Sequence, residues 1–158
     1  FMESEQMYGD KGEVPETDED VVIPIGKADI KREGSDVTIV SFGKIIKEAY
    51  KAADELAKED ISAEVIDLRT VRPLDYDAIL ESVKKTNRLV ILEEAWPFGN
   101  VSTEITYKVQ EEAFDYLDAP IIKINTADTP APYSPVLLKE WLPSSEDVVK
   151  AVKKVMYK

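Results

Sequence analysis

From residue 37 onward, short apolar runs alternate with longer stretches of helical period. Val37-Thr38-Ile39-Val40 is a β-branched run closed by Ser41-Phe42-Gly43, the pattern of a buried strand ending in a turn. Apolar residues then recur at Ile45, Ile46, Ala49, Ala52, Ala53 and Leu56, the spacing of one buried helical face. Ala63-Glu64-Val65-Ile66-Asp67-Leu68 predicts a second strand, and Asp75 is placed to cap a helix bearing Ile79, Leu80 and Val83. Leu89-Val90-Ile91-Leu92 reads as a third strand. Asn100 or Ser102 then starts a helix carrying Ile105, Val109 and Ala113. Ile121-Ile122-Lys123-Ile124 is expected as a strand at a sheet edge, and Ala28-Asp29-Ile30-Lys31-Arg32 as an additional edge strand. Ser144 or Ser145 caps a last helix with Val148, Val149, Val152, Val155 and Met156 on one face.

Strands alternating with helices of this length predict an α/β fold with a doubly wound sheet. Right-handed crossovers make that sheet mostly parallel, and helices on both faces make three layers. The five strands belong to one domain, residues 21–158, with no internal repeat.

Charge changes the picture at the front of the chain. The formal net charge is -12, and residues 1–20 hold eight acids (Glu3, Glu5, Asp10, Glu13, Glu16, Asp18, Glu19, Asp20) against Lys11. Such a run reads as a solvated acidic linker, residues 1–20. Because the chain opens on Phe1, a preceding segment is expected. An acidic surface repels phosphate and argues against nucleic acid. No apolar run approaches the roughly 20 residues of a bilayer span, and no secretory pattern opens the chain. There is no cysteine, which excludes disulfides and thiolate chemistry, and no histidine, the side chain most used for proton transfer near neutral pH.

Ligands of open α/β sheets sit beyond the carboxyl ends of the strands, where three loops are candidates. Ser41-Phe42-Gly43-Lys44 leads into a helix and could hold an anion on backbone N–H groups, but it lacks phosphate-loop glycine spacing and reads better as a tight turn. In Asp67-Leu68-Arg69-Thr70-Val71-Arg72-Pro73-Leu74-Asp75 two arginines could grip a carboxylate or phosphate, although pairing with nearby acids is the simpler reading. Glu93 and Glu94 could act as acid and base, but adjacent residues leaving a strand point to opposite faces. Trp96 and Phe98 read as interface or core aromatics. Pro120, Pro130, Pro132, Pro135 and Pro143, with Tyr133 and Trp141 among them, suit either stiff connections or an aromatic-bearing contact surface. The residues alone give a Rossmann-like domain without a convincing active site.

Several stretches in order resemble a known family. These are Phe1 to Gly9 with Ile23-Pro24-Ile25-Gly26-Lys27-Ala28, then Gly34-Ser35-Asp36-Val37, then Val65 to Asp75. Lys85-Thr86-Asn87-Arg88, Leu117-Asp118-Ala119-Pro120 and Asp128-Thr129-Pro130-Ala131-Pro132-Tyr133 complete the series. Together they resemble the carboxy-terminal part of the beta subunits of thiamine-dependent 2-oxoacid dehydrogenases, pyruvate dehydrogenase above all.

The resemblance implies the transketolase carboxy-terminal fold, preceded in the full subunit by an amino-terminal thiamine-binding domain. It implies an alpha subunit and a second beta subunit in an α2β2 assembly. Thiamine diphosphate and magnesium would be held by parts of the enzyme other than this one. No catalytic, cofactor-binding or metal-binding residue is therefore expected here, and the isolated chain is expected to be inactive. The family's carboxy-terminal domain packs the beta–beta contact and docks the basic subunit-binding domain of the lipoyl acyltransferase. For that docking the resemblance points to Asp118 and to the carboxylate of Lys158, although relatives often end in a different residue. The compartment expected is the cytoplasm of a bacterium or its equivalent. Branched-chain 2-oxoacid dehydrogenases, other transketolase-superfamily subunits and a free-standing flavodoxin-like anion-binding module are the alternatives.

Overall fold

The computed structural model describes residues 1–18 and 20–158, so Glu19 of the acidic segment lies outside the described residues. Five strands form one sheet: β1 (Asp29–Arg32), β2 (Val37–Ser41), β3 (Ala63–Asp67), β4 (Leu89–Leu92) and β5 (Ile122–Ile124). Their spatial order is β1-β3-β2-β4-β5. β1 pairs antiparallel with β3 at one edge, and the other neighbours run parallel. Between β2 and β4 the chain reverses its direction of travel across the sheet. That is the switch point at which such folds open a crevice.

Among the described residues five α-helices cover the sheet and its ends: α1 (Ile46–Ala57), α2 (Tyr76–Thr86), α3 (Val101–Glu112), α4 (Pro135–Trp141) and α5 (Ser145–Val155). Alternation along each strand divides the core in two. Val37, Ile39, Val65, Val90 and Leu92 pack with α1 and α5, where Ala49, Ala52 and Ala53 meet Val148, Ala151 and Val152. Val40, Ile66, Leu89 and Ile91 pack with α2 and α3 through Ile79, Val83, Ile105 and Val109. Residues buried on both faces explain why β2, β3 and β4 read as almost unbroken apolar runs. The three-layer, mostly parallel, five-stranded sheet is the one expected.

Local chemistry decides the helix starts. Asp75 caps α2 by accepting the Ala78 N–H at 3.4 Å. Asn100, not Ser102, caps α3 through Thr103 N–H at 2.9 Å. Ser144, not Ser145, caps α5 in a reciprocal box with Asp147. The proline-rich stretch differs from expectation, because it contains α4. Pro135 occupies that helix's first turn, where a missing N–H costs nothing, and none of its residues is buried. Seven residues without a core-facing stripe carry no helical period to read. Before β1, the described residues form only one 3-10 turn, Glu5–Met7. The acidic segment nevertheless touches α1 and its approach, through Asp10 to Lys47 and Gln6 to Lys44.

Candidate docking site and the switch-point crevice

The crevice at the carboxyl ends of β2 and β4 is filled from within. Glu93, 3% exposed, leaves β4 toward α3 and accepts the N–H groups of Val101 and Ser102 at 3.2 and 2.8 Å. Asn100 Oδ1 accepts the next N–H, from Thr103. The helix terminus that an anion would use thus already faces a carboxylate. Glu94 points away from Glu93 and pairs with Lys44 at 3.2 Å, so the two glutamates do not converge.

The arginine loop is also settled internally. Arg69 pairs with Asp29, and its N–H binds Asp67 Oδ1 at 3.0 Å. Lys31 chiefly, with Arg69 and against partial burial, holds the Asp29 carboxyl below its usual range. Among the described residues no hydrogen bond or ion pair involves Arg72, so of the two arginines Arg69 alone settles the loop. Asp75 also ties the first loop to α2, accepting Ala28 N–H at 3.0 Å.

A groove of about 410 Å³ lies beside this crevice, lined by Glu93, Trp96, Phe98, Asn100, Val101 and Glu104. Its aromatics and carboxylates include no cation to meet a diphosphate. Among the described residues no group of three acidic or other ligating side chains could hold a metal ion. The lining of this groove by itself does not fit the diphosphate of such a cofactor.

At the opposite end of the sheet the turn that holds Asp118 is tied to the last helix's exit through the hydroxyl of Tyr157. Asp118 lies in the turn before β5, with its side chain 55% exposed. Its N–H binds Asn87 O at 2.9 Å, and its own carbonyl accepts the Tyr157 hydroxyl at 3.1 Å. That bond sets the last residues beside the turn, with Lys158 N–H held on Lys153 O at 3.0 Å. Arg88 Nη2 reaches Asp118 Oδ2 at 3.1 Å. Sequence reasoning singled out neither Arg88 nor Tyr157 as partners of Asp118. Their spacing along the chain carries no trace of the contact, which the sheet order creates.

A second open surface gathers near the carboxyl ends of the strands. Trp96 and Trp141 both donate their indole N–H to Thr129 O, at 3.2 and 3.0 Å. Around this junction Trp96, Phe98, Tyr133, Val136 and Leu137 are all exposed, Tyr133 completely. Of the aromatic and proline positions of the sequence, Trp96, Phe98 and Tyr133 thus form surface, whereas Trp141 is half-buried and Pro143 buried. No helix of the described residues is long and apolar enough to cross a membrane.

Comparison with known proteins gives consistent results. Residues 26–148 match the family described as transketolase, C-terminal domain. The pyruvate dehydrogenase E1 component subunit beta of Rickettsia felis is 55% identical over 157 residues, covering 99% of this chain and 48% of that protein. Its counterpart in Rhizobium meliloti is 53% identical over 158 residues, covering 100% and 34%. The mitochondrial subunit beta-1 of Arabidopsis thaliana is 50% identical over 160 residues, covering 100% and 44%. The chain therefore spans a third to a half of the length of these relatives. Among solved structures, a split-gene transketolase described as an inactive beta4 tetramer superposes with a TM-score of 0.76 at 30% identity, over 91% of this chain and 46% of that one. The 2-oxoglutarate:ferredoxin oxidoreductase from Magnetococcus marinus, with a TM-score of 0.52 at 12% identity, shares the fold alone.

Proposed function

Since the chain belongs to the transketolase C-terminal domain family, we propose that it is the assembly and docking part of a pyruvate dehydrogenase beta subunit. In this reading the complete enzyme is an α2β2 assembly that binds thiamine diphosphate and magnesium through its other domains. It decarboxylates pyruvate and passes the acetyl group to a lipoyl acyltransferase, in the cytoplasm or its equivalent. The names of the relatives favour pyruvate over branched-chain 2-oxoacids.

The observation that carries the proposal is the contrast between the chain's two kinds of surface. The crevice where such sheets keep cofactors is closed by Glu93, whereas a half-exposed acid and an exposed aromatic face point outward. The aromatic face suits contact with other subunits. The description of the split-gene relative as a tetramer of beta chains supports beta-to-beta contact. Asp118 suits the basic subunit-binding domain of the acyltransferase, since opposite charges steer and orient such encounters.

The test is titration of the assembled enzyme with that subunit-binding domain at low and high salt. The expected result is salt-sensitive binding that Asp118→Ala weakens about tenfold or more, 1.4 kcal/mol per decade. Equal affinity of variant and native enzyme would remove docking from Asp118.

A further inference from the structure

Arg88 is the residue that the docking reading leaves without a task, and its surroundings are unusual for a surface arginine. It directly precedes β4, and its side chain is 24% exposed where that of Asp118 is 55%. Nε donates to Val155 O at 3.2 Å, and Nη1 to Asp36 O and Thr86 O at 3.4 and 3.5 Å. Those three carbonyls come from the end of α5, the approach to β2 and the end of α2. A planar guanidinium held on three separate segments has no freedom to follow a moving carboxylate. Asp118 must adapt to Arg88.

The backbone of Asp118 is itself held on both sides, by Asn87 O and by the Tyr157 hydroxyl. Its side-chain torsions are what remain, and the bond from Nη2 to Oδ2 selects among them. Among the described residues no hydrogen bond reaches Oδ1. An exposed ion pair of this kind adds little to stability, so the three carbonyl bonds that fix Arg88 in the fold do not themselves call for the further bond to Asp118. It also offsets part of the charge on Asp118, so the direction of the free oxygen counts beside the attraction itself.

We propose that Arg88 is a positioning residue for docking: by holding Oδ2 of Asp118 on a rigid guanidinium, it aims Oδ1 at a basic group of the partner. A carboxylate accepts about four hydrogen bonds, so the occupied oxygen does not close the site. This rests on the reading of Asp118 as the docking residue. The complement it selects is a guanidinium or ammonium presented on a protein surface.

The experiment is a double-mutant cycle in the assembled enzyme, with the basic subunit-binding domain of the acyltransferase as the probe. Arg88→Met and Arg88→Lys are each measured with Asp118 present and in the Asp118→Ala background. With Asp118 present, Arg88→Met is expected to weaken binding about fivefold or more, and Arg88→Lys less. In the Asp118→Ala background both changes are expected to have less than about a twofold effect, because their route runs through Asp118. Equal weakening in both backgrounds would overturn the proposal, since a merely structural arginine acts regardless of Asp118. Unchanged affinity for Arg88→Met, with Asp118→Ala still weakened, would overturn it while sparing the docking reading. If Asp118→Ala binds as the native enzyme does, the docking reading falls and takes the role of Arg88 with it. Arg88→Lys, which keeps the charge but gathers its donors on one nitrogen, decides the matter if Arg88→Met does not fold.

Discussion

Gly34 shows how a single position can be dictated by close approach. A Cβ added there would lie 2.2 Å from Glu64 N and 2.3 Å from the Ala63 carbonyl carbon, and backbone atoms cannot swing aside. Gly34→Ala is expected to lower stability by about 1–3 kcal/mol or more, read from the denaturant midpoint at unchanged slope. The same loop donates Gly34 N–H to Glu64 at 3.3 Å. The Glu64 side chain is 1% exposed and pairs with Lys85. Burial pushes the Glu64 carboxyl up, but Lys85, helped by Ser82 and Gly34 N–H, outweighs it and leaves the pKa below the usual value. A carboxyl with a lowered folded-state pKa stabilises above its unfolded pKa, and that stability is lost as pH falls through the folded one. Glu64→Gln is therefore expected to cost about 1–3 kcal/mol at pH 7. The deficit should shrink as pH falls below the ordinary glutamate value of about 4.3, where the unfolded carboxyl takes up its proton first and the folded one follows at lower pH. A deficit constant from pH 7 to acid would show that charge has no part in it. Glu93 makes a parallel case at the start of α3, where its carboxylate holds two N–H groups. Glu93→Ala is expected to cost about 1–2 kcal/mol in thermal unfolding, and to loosen the Trp96 to Asn100 loop.

Helix α4 behaves differently from the helices that build the core. With none of its residues buried, its outward side chains contribute little to the folded state of the isolated chain. Val136→Ser and Leu137→Ser are expected to shift unfolding by no more than about 0.5 kcal/mol. A loss comparable to a core truncation would mean that α4 packs inward. This helix was also the element that the sequence concealed. The strands and the four longer helices were legible because a buried face imposes a period, as in α1 and α5. A seven-residue helix turned toward solvent imposes none, and its prolines read as loop. Caps were legible to within two residues. Asn100 wins over Ser102 because its side chain accepts the Thr103 N–H, while Ser102 lies inside the first turn with its hydroxyl donated to Asn100 Oδ1. Divergence of Glu93 and Glu94 followed from strand geometry alone. The pairing of Arg88 with Asp118 did not, because 30 residues and a sheet crossing separate them.

At the scale of the whole molecule, an acidic net charge coexists with an uncovered aromatic face. A net charge of -12 keeps the chain soluble and discourages random association. Trp96, Phe98, Tyr133, Val136 and Leu137 nevertheless give it an apolar surface that the described residues leave uncovered. The fold class and the absence of histidine were plain in the sequence. The role of each surface was not, because exposure depends on which loops the topology brings together. Salt should separate the two surfaces: contacts through Asp118 weaken as it rises, whereas apolar contacts persist. Sedimentation velocity of the purified chain across a wide concentration range is the most direct measurement of its character as an assembly domain. The expected result is concentration-dependent dimers or larger species that persist at high salt and are lost in Val136→Lys with Leu137→Lys. A strictly monomeric chain at the highest concentrations would contradict an assembly role for the aromatic face.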